Sequence, residues 1–381
     1  MSAVGNNRRV SSSESRAAAA TWTEPGADPV APGVWRIPLP LPGDGLKAVN
    51  VYAVRDGDGV TLIDGGWALD VAERELERAL GTVGLGLGDI RRFLVTHSHR
   101  DHYTQAVAVR RRFGTRVLVG AGERHTIERI TTPGHRAGQS HWDLMLRHGA
   151  EPVLAALRAE VGRPESGDQG YELPDAYIPG GERFAVGDRT LEAIATPGHT
   201  RGHLVFLDRA AGLLFAGDHV LPHITPSVGF EVDPPRLALG GYLGSLRLVR
   251  SLPDAVMLPA HGPPGGSVHA RVDELLDHHD VRLAQAAAAL RAGPRTAYEV
   301  ATQLHWTSRQ RRLADLDTFN QMLAVLETAL HLELLADRGT VTAKEVDGVI
   351  GYTEQPPRLA ERGQAIVRAR EAGLGRTAPP P

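Results

Sequence analysis

One hexapeptide, His97-Ser98-His99-Arg100-Asp101-His102, constrains this chain of 381 residues more than any other feature. It follows the apolar run Phe93-Leu94-Val95-Thr96, which is typical of a buried strand. Three imidazoles and a carboxylate at H-x-H-x-D-H spacing can be divided between two adjacent metal ions. Zinc is the predicted metal, because imidazole nitrogen and carboxylate oxygen suit an ion that leaves one position open for water. The alternative is a solvated His-rich turn.

Further donors occur singly where other predicted strands end. They are His199 after Leu191–Ala195, Asp218 after Leu213–Ala216, and His261 after Val256–Pro259. Each alone is more typical of a turn residue than of a ligand, but their shared position at strand ends favours one common site. Asp64 likewise ends the run Val60–Ile63, and Gly65 and Gly66 after it allow the backbone to approach closely.

In this order, the residues resemble the signature of the metallo-β-lactamase fold superfamily, and residues 33–265 carry the resemblance. The resemblance implies two zinc ions per chain. The first would be held by His97, His99 and His199, the second by Asp101, His102 and His261, and Asp218 would bridge them. It also implies that Asp64 accepts a hydrogen bond that orients the ligand loop.

The tetrapeptide Thr-Pro-Gly-His occurs twice, ending at His135 and at His199. Only the second copy follows an apolar strand and precedes another strand start, so we predict that His199 is the ligand and that His135 is a loop residue. His203, four residues further on, is predicted to fix the loop of His199 rather than to contact substrate. Tyr103 and Thr104 replace the glycine common after the ligand loop in this family, which leaves the shape of the pocket floor open.

The order of predicted elements indicates an α/β protein, an αββα sandwich in which two sheets pack face to face with helices outside. One of these helices is predicted from Leu69 to Leu80, with Val71, Leu76 and Leu80 on one stripe. The predicted organisation is a disordered tail over residues 1–25, a metallo-β-lactamase domain over 26–265 with a helical insertion at 121–180, a winged-helix-like module over 266–352 and a C-terminal tail over 353–381.

Two segments have competing interpretations. The insertion is either surface helix or a cap over the metal cleft, with Arg147 or His148 as candidate anion-binding residues. The C-terminal module resembles the winged helix that follows this domain in relatives of an endoribonuclease, but it holds nine Arg or Lys against twelve Asp or Glu between Val268 and Tyr352. This acidic balance favours a packing role over nucleic-acid binding.

The implied activity is hydrolysis of a small-molecule ester, thioester or lactone by a metal-bound hydroxide, with Asp101 and Asp218 as catalytic residues. The alternatives are a metal-dependent endoribonuclease or phosphodiesterase, a mononuclear iron persulfide dioxygenase, and a non-catalytic scaffold, which would be expected to lack a ligand. The net charge of -3 gives no general attraction to polyanions. The absence of cysteine excludes disulfides and thiolate ligands. Apolar stretches are too short for a signal peptide or membrane span, so we expect a cytoplasmic protein with no membrane partner.

Overall fold

The computed structural model describes residues 22–136, 138–161, 170–307 and 309–355. Both predicted tails lie largely outside these residues. The chain divides into two compact units, the first formed by Met1–His141 with Val161–His279 and the second by Trp142–Glu160 with Asp280–Pro381.

The first unit contains a sheet of seven strands that lie side by side in chain order. The strands are β1 (Asp28–Ala31), β2 (Val34–Pro40), β3 (Ala48–Asp56), β4 (Gly59–Ile63), β5 (Ile90–Val95), β6 (Arg116–Gly120) and β7 (Ala176–Ile178). Strands β1 to β4 pair antiparallel, whereas β4 to β7 pair parallel. The carboxyl ends of β4, β5 and β6 therefore meet at one edge of the sheet.

A second sheet in the same unit has five strands in the order β12-β11-β10-β9-β8. Its strands are β8 (Arg183–Val186), β9 (Arg189–Ala195), β10 (Leu204–Asp208), β11 (Leu213–Gly217) and β12 (Val256–Pro259). Because β10 pairs antiparallel with both β9 and β11, and β12 pairs parallel with β11, strands β9, β11 and β12 end at the same edge.

The two sheets share one apolar core. Tyr52 of β3 and Phe215 of β11 meet edge to face, with ring centroids 5.5 Å apart, and Val54, Leu94, Leu191 and others surround them. Helices α1 (Asp70–Thr82) and α2 (Arg100–Phe113) bury apolar side chains in a second core with residues of the first sheet. The α/β sandwich predicted from the sequence is therefore confirmed.

Helix α1 buries a narrower stripe than the sequence predicts. Ala72, Leu76, Ala79 and Leu80 are buried, as the three- and four-residue spacing of an amphipathic helix requires. Val71 is 41% exposed, so its predicted place on that stripe is wrong. Val71 lies one position before the buried Ala72, and at that position the helix directs the side chain to solvent.

The remaining helices are α3 (Arg124–Thr131), α4 (Gln139–Arg147), α5 (Glu151–Val161), α6 (Ala238–Ser251), α7 (Val268–Ala289), α8 (Ala297–Gln303) and α9 (Thr318–Asp337). In the first unit, α6 is held to two loops, because Ser245 Oγ donates to Pro197 O at 2.8 Å and Tyr242 Oη donates to His219 O at 2.9 Å. Among the described helices, none has the length and apolarity needed to cross a membrane.

The second unit combines part of the predicted insertion with C-terminal elements. A three-stranded sheet in the order β13 (Arg295–Thr296), β15 (Val349–Glu354), β14 (Val341–Val346) accompanies α8 and α9. Arg147 donates to Glu345 Oε2 at 2.9 Å, and the backbone carbonyl of His148 accepts from Tyr298 N at 3.2 Å. The Arg147 guanidinium is thus paired with Glu345 within the second unit. The winged-helix identity of the module stays a prediction.

Candidate metal centre

All seven donors singled out from the sequence come together at the shared edge of the two sheets. Asp64 follows β4, the hexapeptide follows β5, and His199, Asp218 and His261 follow β9, β11 and β12. Ligand atoms fall into two groups, each with members within 4.8 Å of one another. Topology thus brings together residues that are up to 164 positions apart in the chain, from His97 to His261.

The first cluster contains His97, His99 and His199. Nε2 of His97 lies 2.9 Å from Nδ1 of His99 and 3.2 Å from Nε2 of His199, and His199 Nε2 lies 3.1 Å from His99 Nδ1. Three ring nitrogens therefore converge on one point. This is the arrangement in which imidazoles bind a single ion.

The second cluster contains Asp101, His102 and His261. Oδ2 of Asp101 lies 3.6 Å from His102 Nε2 and 3.5 Å from His261 Nε2. Both of these nitrogens are buried and have no hydrogen-bond partner among the described residues. A buried polar atom without a partner is costly, so the geometry fits a cation at this point.

Asp218 stands between the clusters with one oxygen towards each. Its Oδ2 is 3.5 Å from His199 Nε2 in the first cluster. Its Oδ1 is 3.4 Å from His261 Nε2 and 3.8 Å from His102 Nε2 in the second. This is the geometry of a carboxylate that bridges two ions.

The histidine nitrogens that face away from the clusters all have partners. His97 Nδ1 pairs with Thr96 Oγ1 at 3.0 Å, His99 Nε2 with Phe230 O at 2.6 Å, His199 Nδ1 with Ser227 O at 2.5 Å, His102 Nδ1 with Asp64 Oδ2 at 2.9 Å and His261 Nδ1 with Ala48 O at 2.8 Å. The four carbonyl and carboxylate acceptors require a proton on the outward nitrogen. The inward nitrogens then keep their lone pairs for a metal.

Asp64 accepts hydrogen bonds from Thr96 and His102, at the two ends of the ligand loop. Its Oδ1 accepts from Thr96 N at 2.7 Å, and its Oδ2 accepts from Thr96 Oγ1 at 3.0 Å as well as from His102. The residue adopts φ +63°, and a Cβ on the following Gly65 would lie 2.7 Å from Ala106 N. The close approach of backbone predicted at Gly65 is therefore present.

His203 contacts both the His199 loop and Asp218. Its Nδ1 pairs with Thr196 Oγ1 at 2.9 Å, and its Nε2 accepts from the backbone N of Asp218 at 3.1 Å. The ring is fully buried, so it orients these two segments from within the protein.

The two clusters differ in their affinity for protons. Burial, together with neighbouring imidazoles, lowers the pKa of His97, His99 and His199, the last to about 4. Burial also lowers the pKa of His102, but the carboxylates of Asp101, Asp64 and Asp218 outweigh it and raise the pKa to about 10. The first cluster is therefore neutral at pH 7, whereas the second attracts positive charge. A divalent cation would displace the proton held by His102.

Some contributors carry no signal that sequence patterns could reveal. The carbonyls of Ala48, Ser227 and Phe230 orient three of these histidines, but any residue type supplies a carbonyl. Glu123, by contrast, is a carboxylate just after β6, so the strand-end criterion that singled out Asp64 could have found it. His135 belongs to neither donor group.

Tyr103 and Thr104 have structural contacts. Tyr103 is fully buried in the core, and its Oη donates to Glu172 O at 2.7 Å. Thr104 Oγ1 accepts from Ala68 N at 2.9 Å and donates to Arg100 O at 2.6 Å. Their side chains thus stabilise the helix that starts with the ligand loop.

Comparison with known proteins points to one family. The family model of the metallo-β-lactamase superfamily matches residues 44–261, a span that contains all seven donors. A Bacillus subtilis (strain 168) protein described as the probable metallo-hydrolase YqjP is 28% identical over 323 residues, which cover 81% of this chain and 93% of the relative. The lactamase-like protein nscB of Trichophyton equinum is 35% identical over 237 residues, 62% of this chain, and the match spans 54% of nscB.

Solved structures agree with this assignment. A metallo-β-lactamase family protein from Thermus thermophilus matches with a TM-score of 0.70 and 29% identity, covering 86% of this chain and 100% of that chain. A β-lactamase domain protein from Burkholderia ambifaria matches with a TM-score of 0.69 and 27% identity, covering 86% and 95%. Both likenesses extend well beyond residues 44–261.

Proposed function

Because this chain belongs to the metallo-β-lactamase superfamily, we propose that it is a binuclear zinc hydrolase that cleaves a small-molecule ester, thioester or lactone. The observation that carries the proposal is the position of Asp218, whose two oxygens face two separate groups of donors. An all-nitrogen and oxygen donor set, with no cysteine in the chain, suits zinc. A mononuclear iron dioxygenase uses fewer ligands and would employ Asp101, His102 and His261 only in part.

The chain's own residues divide the work of such a site. Two zinc ions, when bound, supply a water of lowered pKa and stabilise negative charge on a substrate oxygen. Asp218 would contribute one oxygen to each metal position. Asp64 and the backbone carbonyls keep the ligand imidazoles in the tautomer that presents a lone pair inward.

Asp101 is the residue we propose for proton delivery to the leaving group. Its side chain is 17% exposed, against 0% for His102 and 3% for His261, so it is the member of the second cluster that solvent reaches most easily. Despite its burial, the histidines His102 and His261 keep the pKa of Asp101 below its usual value. The carboxylate is therefore ionised and able to accept a proton before passing it on.

The proposed substrate is small and is not a nucleic acid. A nuclease needs a basic track for the phosphate backbone, but the net charge is -3 and acidic residues outnumber basic ones between Val268 and Tyr352. The relative described as a probable metallo-hydrolase supports hydrolysis without naming a substrate.

The test is a substrate panel with the zinc-loaded full-length protein. Thioesters, lactones, simple esters, a β-lactam and labelled single-stranded RNA are incubated with the protein and with a His97→Ala variant, which lacks one donor of the first cluster. We expect hydrolysis of a thioester or lactone by the intact protein only. Metal-dependent cleavage of RNA at physiological salt, seen only with the intact site, would contradict the proposal and favour the endoribonuclease alternative.

A further inference from the structure

A buried carboxylate lies beside the metal centre without belonging to either donor group. Glu123 follows β6 and is 0% exposed. Its Oε2 accepts a hydrogen bond from Ser98 Oγ, and its Oε1 accepts one from Thr200 Oγ1. Ser98 stands between His97 and His99, and Thr200 directly follows His199. One carboxylate therefore connects the two loops that supply the first cluster.

The backbone around Glu123 is packed so tightly that Gly120, Gly122 and Gly202 have no room for a Cβ atom. A Cβ on Gly202 would lie 2.2 Å from Glu123 N, and a Cβ on Gly122 would lie 2.5 Å from Arg201 O. A Cβ on Gly120 would lie 1.8 Å from Gly202 O. Backbone atoms cannot move far enough to relieve such contacts. The turn that carries Glu123 therefore packs directly against the loop after His199.

A second buried carboxylate anchors the segment that orients two ligands. Glu231 is 3% exposed, and it accepts from Arg201 N at 2.8 Å, from Arg201 Nε at 3.0 Å and from Thr126 Oγ1 at 3.0 Å. The segment before it supplies the carbonyls of Ser227 and Phe230 to His199 and His99. Arg201 thus pairs with Glu231, whereas the hydrogen bonds of Glu123 come from Ser98 and Thr200.

We propose that Glu123 is a positioning residue that sets the spacing of the loops bearing His97, His99 and His199, and with it the metal affinity of the first cluster. The inference rests on the proposed metal centre. Each hydroxyl that Glu123 holds belongs to a residue adjacent to a ligand, so a shift of either loop moves a ring nitrogen. Ring nitrogens only 2.9 to 3.2 Å apart leave little tolerance for such movement.

Burial is consistent with a positioning role, since it imposes a cost that a merely space-filling residue would avoid. Burial, with Glu231 nearby, raises the pKa of Glu123 to about 7 despite the hydrogen bonds from Ser98 and Thr200. An apolar side chain would fill the same volume without that penalty. The two hydroxyls, however, would then have no acceptor.

The experiment measures metal binding rather than turnover. Apo protein is titrated with Co²⁺, and the visible absorption spectrum reports both affinity and coordination geometry. A His261→Ala background removes a donor from the second cluster, so that the signal comes mainly from the first. In this background we compare Glu123→Ala, Glu123→Gln, Ser98→Ala and Thr200→Val.

Removing a group that hydrogen-bonds a metal-binding side chain lowers metal affinity by about 10- to 100-fold. Glu123 acts less directly, because it hydrogen-bonds Ser98 and Thr200, which are adjacent to the histidines. We therefore expect Glu123→Ala to weaken Co²⁺ binding by about 10-fold and to alter the spectrum. Glu123→Gln, which keeps one acceptor oxygen, should recover part of the affinity. Ser98→Ala and Thr200→Val should each give a smaller loss and should add little to Glu123→Ala, because all three remove the same link.

A matched control separates positioning from general stability. Asp208 is also buried, at 1% exposure, and accepts from Arg189 Nη1 at 2.6 Å at the end of β10 opposite His203. Asp208→Asn should lower the melting temperature but leave the Co²⁺ spectrum and affinity unchanged.

Three results would overturn the proposal, and they differ in meaning. Wild-type Co²⁺ affinity and spectrum in Glu123→Ala would refute the role of Glu123 alone. Absence of any Co²⁺ or Zn²⁺ binding by the unmodified protein would refute the metal centre itself. If Glu123→Ala does not fold, unchanged binding in both Ser98→Ala and Thr200→Val would refute the role of Glu123.

Discussion

Replacing Asp64 with asparagine tests how the ligand loop is kept ready for metal. The amide oxygen of asparagine can still accept from Thr96 N, which lies 2.7 Å from Oδ1. Asparagine also tolerates the left-handed backbone, φ +63°, that this position adopts. The substitution thus keeps shape and backbone while exchanging Oδ2 for an NH₂ group.

The exchange places a hydrogen-bond donor where His102 needs an acceptor. His102 Nδ1, 2.9 Å from Oδ2, could then pair only by giving up its proton. The proton would move to Nε2, the nitrogen that faces Asp101 and Asp218. A protonated nitrogen cannot bind metal, so His102 would be lost as a ligand unless the pair were broken.

The expected cost follows from one charge-assisted hydrogen bond. Such a bond contributes about 1.5 to 3 kcal/mol. Since each 1.4 kcal/mol is about a tenfold change in affinity, Asp64→Asn should weaken the second zinc by roughly 10- to 100-fold. The first zinc should be less affected, because His97 contacts Asp64 only through Thr96 Oγ1.

The assay is a titration of apo protein with Zn²⁺ in competition with a chromophoric chelator. Circular dichroism checks that the fold is retained, and Asp208→Asn serves as a control for loss of a buried carboxylate elsewhere. Binding of both zinc equivalents by Asp64→Asn with wild-type affinity would refute this account of the ligand tautomers.

Three further predictions address the rest of the site. His199→Ala should abolish metal binding at the first cluster and most of the activity, whereas His135→Ala should leave metal content unchanged; loss of zinc from the latter would contradict the placing of the site. Asp218→Ala should lower occupancy of the second metal and activity together in elemental and kinetic analysis, and full occupancy would exclude a bridging role. The pKa of Glu123 is about 7 in the folded protein against 4.5 in the unfolded chain, so the unfolded chain loses this proton first as pH rises. The stability of the apo protein should therefore fall between pH 4.5 and 7, by on the order of 3 kcal/mol. Urea unfolding should show this fall reduced in Glu123→Gln, and equal pH dependence of the two proteins would argue against it.

The sequence predicts much of the site because strand ends are readable. An apolar run that stops at a lone His or Asp marks the carboxyl end of a strand, and parallel strands bring those ends to one edge. His199 and His261 were found in this way, although long segments separate them from the hexapeptide. The buried strands β4 and β5 were predicted for the same reason.

Other features depend on packing that no local pattern expresses. Helix α6 was not predicted, since its Gly-rich first turns give a weak helical signal. Short strands such as β7 and β8 exist because they pair with neighbours already in place. The grouping of Trp142–Glu160 with C-terminal residues likewise rests on contacts between segments far apart in the chain.

The most direct test of the two-metal hydrolase is the metal content of the active protein. Protein purified without chelator is analysed for metals, then depleted and titrated with Zn²⁺ while hydrolysis of the best substrate from the panel is followed. We expect close to two zinc equivalents per chain and a rate that reaches its plateau only at the second. A single iron as the metal present, or full activity at one equivalent, would contradict it.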